Sequence, residues 1–105
     1  MDITTKGKKL IVEKEGREIG RIRIYYIEND LHSKPYAFLE DLYVEEEFRG
    51  QGFATELLKR AIATAKEKGC YKIIGTSRYG REKVHEFYKK FGFEDYGKEF
   101  RINII

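Results

Sequence analysis

Six consecutive residues, Arg49-Gly50-Gln51-Gly52-Phe53-Ala54, set an arginine and two glycines immediately ahead of a stretch with helical periodicity. Backbone N–H groups at a helix start have no partner inside the helix and carry the positive end of its dipole. They attract anions wherever the backbone can be approached closely. Gly50 and Gly52 permit that approach, and Ala54 keeps the first turn small. An ordinary turn opening a helix has the same spacing, so spacing alone leaves both a turn and a phosphate cradle standing. Two further side chains invite proton chemistry. Glu40 sits within an apolar segment, where desolvation raises a carboxyl towards a useful general base. The competing reading is a salt-bridge partner for Arg21 or Arg23. Tyr88 offers a phenol of pKa about 10, a candidate proton donor. Its competitor is a core tyrosine on an apolar helix face.

Periodicity supplies the elements that must hold these groups. Residues 8–14 and 19–28 read as strands, joined into a hairpin by Glu15-Gly16-Arg17-Glu18. Residues 36–44, YAFLEDLYV, form a third strand after a polar loop. Alternation puts Glu40 on one face with Phe38, Leu42 and Val44, and turns Asp41 the other way unless a bulge intervenes. Over 53–68, Ala54, Leu57, Leu58, Ala61, Ile62 and Ala65 share one helix face, and Gly69 ends the helix. A short strand is expected at 71–77. A second helix from about Glu82 places Val84, Phe87, Tyr88 and Phe91 together before Gly92. EFRINII, 99–105, alternates as a last strand after a short one at 93–96.

The chain has 105 residues, which fits a single domain over 1–105 with one modest core. Its 21 basic and 18 acidic side chains are interleaved along the whole length, which argues against nucleic acid as a partner. A sheet binding nucleic acid through Tyr25 and Tyr26 is disfavoured on the same ground. No apolar run is long enough to cross a bilayer, and a cytoplasmic protein is expected. The single cysteine, Cys70, excludes an internal disulfide and leaves no second thiol for a metal site with His32 and His85. Cys70 reads as a small buried hydrophobe.

Taken together, these motifs resemble those of the GNAT superfamily of acetyl-CoA-dependent N-acetyltransferases. That family's pyrophosphate signature, Arg/Gln-x-x-Gly-x-Gly/Ala between a strand and a helix, is matched by Arg49 to Ala54. Its tyrosine ahead of Gly-Phe is matched by Phe87-Tyr88-Lys89-Lys90-Phe91-Gly92-Phe93. The resemblance covers about residues 8–105, and LEDLYVEEEFRGQGFATELL is similar to the small polyamine and amino-group acetyltransferases. It implies an α/β (α+β) GNAT fold: a mixed, mostly antiparallel sheet with two helices, in the order β-β-β-α-β-α-β. The usual N-terminal helical roof is expected to be missing, since seven residues precede the first expected strand.

The resemblance further implies an enzyme that moves acetyl from acetyl-CoA to a primary amine by direct attack in a ternary complex, with no metal. The amides of Gln51, Gly52, Phe53 and Ala54 are then expected to hold the CoA pyrophosphate, helped by the Thr55 hydroxyl. The pantetheine arm lies along Leu42, Tyr43 and Val44 like an added strand, and the Leu42 amide polarises the thioester carbonyl. Glu40 becomes the base, through a water in similar enzymes, and Tyr88 the acid. Many members carry Asn seven residues before the tyrosine as a CoA contact; here that place is Arg81. Arg49 is either a ligand contact or a surface arginine beside Glu45 to Glu47. Those glutamates form a solvated turn, or with Asp41 draw a cationic acceptor, a small-molecule or peptide amine. The missing roof leaves the acceptor cleft open or completed by a second subunit, in a homodimer, through the apolar final strand. A non-catalytic CoA-binding or regulatory module on the same fold is the alternative function.

Overall fold

Glu15 and Gly16 both take left-handed backbone, with φ of 51° and 77°, the pair of positive angles that a tight two-residue type I′ hairpin requires. In the computed structural model, which describes residues 1–105, they join β1 (Lys6–Lys14) to β2 (Arg17–Ile27). The turn is therefore two residues shorter than the four expected, and Arg17 and Glu18 already belong to the ladder. Ile19 is an extra residue between the Val12–Gly20 and Glu13–Glu18 pairs, so β2 bulges near its start. β3 (Tyr36–Val44) runs antiparallel to β2, and β4 (Ile73–Gly75) parallel to β3. The sheet order is β1-β2-β3-β4, mixed and mostly antiparallel as expected. The strand expected at 71–77 is regular only over Ile73–Gly75, with Tyr71 and Ala37 amides bonded to Pro35 and Lys72 carbonyls alongside.

One face of this sheet is covered by α1 (Phe53–Glu67), in the unit Met1–Gly75. Leu57, Leu58, Ala61 and Ala65 are fully buried, and so are Ile22 and Ile24 of β2 and Leu39 of β3. The even-numbered residues of the middle of β2 thus form the core layer, and the odd-numbered Arg21, Arg23 and Tyr25 point to the other face. Gly20 permits the close approach: a Cβ there stands 3.3 Å from both Leu57 Cδ1 and the Tyr43 carbonyl oxygen. Ala54 and Ile62, expected in the core stripe, are only half-buried. The helix ends as its sequence asks. Gly69 (φ 81°) bonds back to the Lys66 carbonyl and Cys70 to that of Ala65, the paired bonds of a Schellman stop.

The second compact unit, Thr76–Ile105, holds α2 (Glu82–Lys90). It closes with the same device: Gly92 (φ 95°) bonds to the Lys89 carbonyl and Phe93 to that of Tyr88. The rings of Phe93 and Tyr88 lie 5.2 Å apart across this stop, and those of Phe87 and Phe91 5.1 Å. The strands expected at 93–96 and 99–105 are not formed. Apolar alternation gives a segment a face, but a strand exists only through backbone pairing, and residues 94–105 make no backbone hydrogen bond. Phe100, Ile102 and Ile104 are accordingly more than four-fifths exposed. No helix is long and apolar enough to cross a membrane.

Candidate active site

Asp41 is the pivot of β3. Its φ of 59° is left-handed, unusual for a residue other than glycine, although Asp and Asn tolerate it best. Arg23 pairs with Glu40 and Arg21 with Tyr43, so Asp41 and Leu42 both stand opposite the single residue Ile22. This bulge shifts the alternation by one. Before it, Leu39 faces the core and Glu40 the opposite face; after it, Val44 faces the core and Tyr43 the opposite face. The expectation that Glu40 shares a face with Leu42 and Val44 is corrected: it shares one with Phe38 and Tyr43. Glu40 is exposed, so the desolvation expected for it is absent.

The partners on that face also differ from expectation. Arg21 and Arg23 both bind Asp41 rather than Glu40. Arg21 is bidentate, donating from Nε at 2.7 Å and from Nη2 at 3.1 Å, and its guanidinium lies 4.7 Å from the Tyr43 ring centre. Arg23 donates from Nη1 to the Asp41 oxygen that Arg21 Nε already uses. The Arg21 hydrogen bond holds the Asp41 carboxyl below its ordinary value, and the Arg21 and Arg23 charges add to this against partial burial. Glu40 instead accepts from the Tyr25 hydroxyl at 3.1 Å, a bond that pushes the Tyr25 phenol upward.

Beyond Leu39, the second edge of β3 has no strand beside it, because β4 pairs only with Ala37, Phe38 and Leu39. Glu40 to Val44 thus presents an open edge, which an extended ligand can line as an added strand. Leu42, Tyr43 and Val44, expected beside such an arm, lie on it. Its far end is fixed by Arg49, whose Nε donates to the Val44 carbonyl at 2.8 Å while its guanidinium lies 5.4 Å from the Tyr43 ring centre. Arg49 makes no ion pair with Glu45, Glu46 or Glu47. Arg17 takes Glu45 at 2.6 Å and Glu47 at 2.5 Å, tying the hairpin to the 3₁₀ turn Glu46–Phe48.

The segment after that turn has the backbone features expected of an anion cradle. Gly50 and Gly52 have φ of 79° and 91°, and nothing lies within 4 Å of the place a Cβ would take on either. Glycine is required there by backbone angle, and the backbone is open to approach. Gly52 caps α1 without any side-chain cap bond. The amides of Gln51, Gly52, Phe53, Ala54 and Thr55 have no hydrogen-bond acceptor within the chain. A run of five unpaired donors at the positive end of a fifteen-residue helix matches the needs of a pyrophosphate. Thr55 is half-buried in the first turn of this helix.

In the C-terminal unit, Tyr88 sits in the last turn of α2, half-buried, with no hydrogen-bond partner for its hydroxyl. Burial pushes its phenol above the ordinary value, so it stays protonated through the neutral range. Arg81 is the exposed N-cap residue of α2 and makes no side-chain cap bond. His85, expected on the helix surface, is half-buried and contacts the Arg78 carbonyl at 2.9 Å. The Ser77 hydroxyl is buried without a partner. Sequence reasoning passed over it, since a serine after a strand carries no distinguishing signal. Nor did it find Tyr25 as the partner of Glu40. The regular pairing from Ile27–Tyr36 to Arg23–Glu40 sets Tyr25 diagonal to Glu40 on one face, a register that depends on the loop between β2 and β3 and not on strand pattern.

The profile of the acetyltransferase (GNAT) family matches residues 2–93. The thialysine N-epsilon-acetyltransferase of Bos taurus is 28% identical over 83 residues, covering 79% of this chain and 49% of the relative. The aminoglycoside N(6')-acetyltransferase type 1 of Stenotrophomonas maltophilia is 31% identical over 85 residues, covering 77% and 55%. The glucosamine 6-phosphate N-acetyltransferase of Trypanosoma brucei brucei is 33% identical over 66 residues, covering 63% and 43%. The chain thus spans about half the length of the relatives it matches. Among solved structures, a putative acetyltransferase from Agrobacterium tumefaciens superposes with a TM-score of 0.86 at 26% identity, over 92% of this chain and 68% of that one.

Proposed function

The chain belongs to the GNAT acetyltransferase family, and on that premise we propose that it moves an acetyl group from acetyl-CoA to a primary amine by direct attack. The observation that carries this reading is the run of unpaired amides from Gln51 to Thr55 behind two left-handed glycines. Bound there, acetyl-CoA supplies an activated thioester. The amides and the α1 dipole hold its pyrophosphate, and Arg49 fixes the end of the neighbouring strand through the Val44 carbonyl. The open edge at Leu42, Tyr43 and Val44 lines the extended arm, and the Leu42 amide, at the bulge, stabilises the developing oxyanion.

An amine attacks only when uncharged, and the departing thiolate must regain a proton. Glu40, solvent-facing and held through one oxygen by Tyr25, takes the proton from the ammonium, directly or through a water. Tyr88, kept protonated by its burial, returns one to the thiolate. Arg81, at the start of α2, is assigned to the phosphates of the cofactor by charge. The exposure of Glu40 favours a second reading, a CoA-binding module without turnover. The relatives are named for different acceptors, so family membership leaves the acceptor open. Incubation with acetyl-CoA and a panel of amines, with free thiol followed, separates the two readings. Amine-dependent thiol release is expected; CoA binding without release from any amine leaves the module.

A further inference from the structure

Of the acids expected to draw a cationic acceptor, three are already claimed, and only Glu46, on the 3₁₀ turn, makes no ion pair. Glu45 and Glu47 are held by Arg17, and Asp41 by Arg21 and Arg23 together. One carboxylate between two guanidinium groups leaves the Arg21–Asp41–Arg23 cluster with an excess charge of one, next to the single negative charge of Glu40. Lys9, next to Arg23 on β1, is matched by Glu18 at 2.7 Å and adds nothing to it. The donors are also in surplus. Arg21 uses Nε and Nη2, and Arg23 uses only Nη1, so Nη1 of Arg21 and both Nε and Nη2 of Arg23 have no acceptor. The two side chains are 31% and 35% exposed, which leaves those donors reachable. They are preorganised as well, Arg21 by its bidentate bond and the Tyr43 ring, Arg23 by the shared Asp41 oxygen. Arg23 pairs directly across the strands with Glu40.

We propose that the acceptor is a primary amine that also carries an anionic group, a carboxylate or a phosphate, which Arg21 and Arg23 hold while its amino group meets Glu40. This rests on the reading of Glu40 as the base. A planar guanidinium with adjacent free N–H groups matches either anion, and the neighbouring Glu40 is the natural counter-charge for an ammonium a few bonds away. A diamine or polyamine instead sets its second ammonium against the unbalanced guanidinium, and is rejected by like charge.

The test compares δ-aminovalerate with its carboxamide and with cadaverine, and aminoethyl phosphate with ethanolamine, in thiol release. A hydrogen-bonded charge of this kind implies a preference of about tenfold or more in kcat/KM for the anionic member, carried mainly by KM. The preference should shrink with added salt and fall towards unity in Arg23→Gln. Arg23→Lys, which keeps the charge and loses the planar fork, should recover part of it, a result that a folding defect does not give. Comparison of the two anionic amines tells carboxylate from phosphate. Turnover of cadaverine or the neutral amines as fast as the anionic ones overturns the inference and leaves acetyl transfer intact. Arginine side-chain N–H resonances are followed during titration with δ-aminovalerate. Their movement without any thiol release keeps the anion site and overturns the transfer reading; no movement and no release overturn both.

Discussion

A carboxylate in the middle of an apolar strand can be buried and basic, paired, or exposed, and the difference lies in one backbone angle. Because Asp41 adopts φ 59°, it takes both arginines and leaves Glu40 to Tyr25. The candidate base and acid were legible as residue types; their partners were not, since partner choice depends on a register shift that no propensity records. For the assigned roles, Glu40→Gln and Tyr88→Phe should each lower kcat by about 10²-fold or more, with CoA affinity unchanged by calorimetric titration. A pH effect follows from Asp41. Its folded carboxyl is held below the ordinary value, so its pairs stabilise the fold above about pH 4 and lose that contribution as pH falls through the lowered value. Thermal melts of Asp41→Asn should therefore show a deficit at neutral pH that closes at the acid end of the range. A deficit of constant size across the range is the contrary result.

At the scale of elements, the sequence is most readable where a period is long and a stop is chemical. Helix α1 shows both: a core stripe of Leu57, Leu58, Ala61 and Ala65, and Gly69 in its Schellman stop. The Tyr88, Gly92 and Phe93 motif gains a structural meaning of its own. It is a helix stop in which the tyrosine is clamped by the phenylalanine, so the same residues serve packing whether or not the phenol moves a proton. The hairpin was visible from Glu15-Gly16, but not its two-residue length. That length makes Glu15 hold φ 51°, a conformation that costs an L residue about 1–2 kcal/mol. Asn is the favoured residue there, so Glu15→Asn should raise stability by about 0.5–1 kcal/mol in urea unfolding, with the slope unchanged.

For the molecule as a whole, residues 94–105 are where pattern and structure part. EFRINII alternates like a strand, yet no partner pairs with it, because local alternation says nothing about which neighbour is present. Trypsin should therefore cut after Lys98 and Arg101 before it cuts at Arg21 or Arg23, whose backbones lie in the ladder. Mass spectrometry of early digests checks this order. The bulge at Asp41 has its own reach along the chain. It makes β3 a strand read in two frames, with Leu39 and Val44 both turned to the core across an even-odd change of phase. Loss of one residue at 41 would invert everything upstream or downstream of it, whereas no substitution elsewhere restores the phase. The number of residues between Ala37 and Arg49 is therefore more tightly constrained than their identities, while the polar loop at 29–34, which keeps no phase, is free to lengthen or shorten.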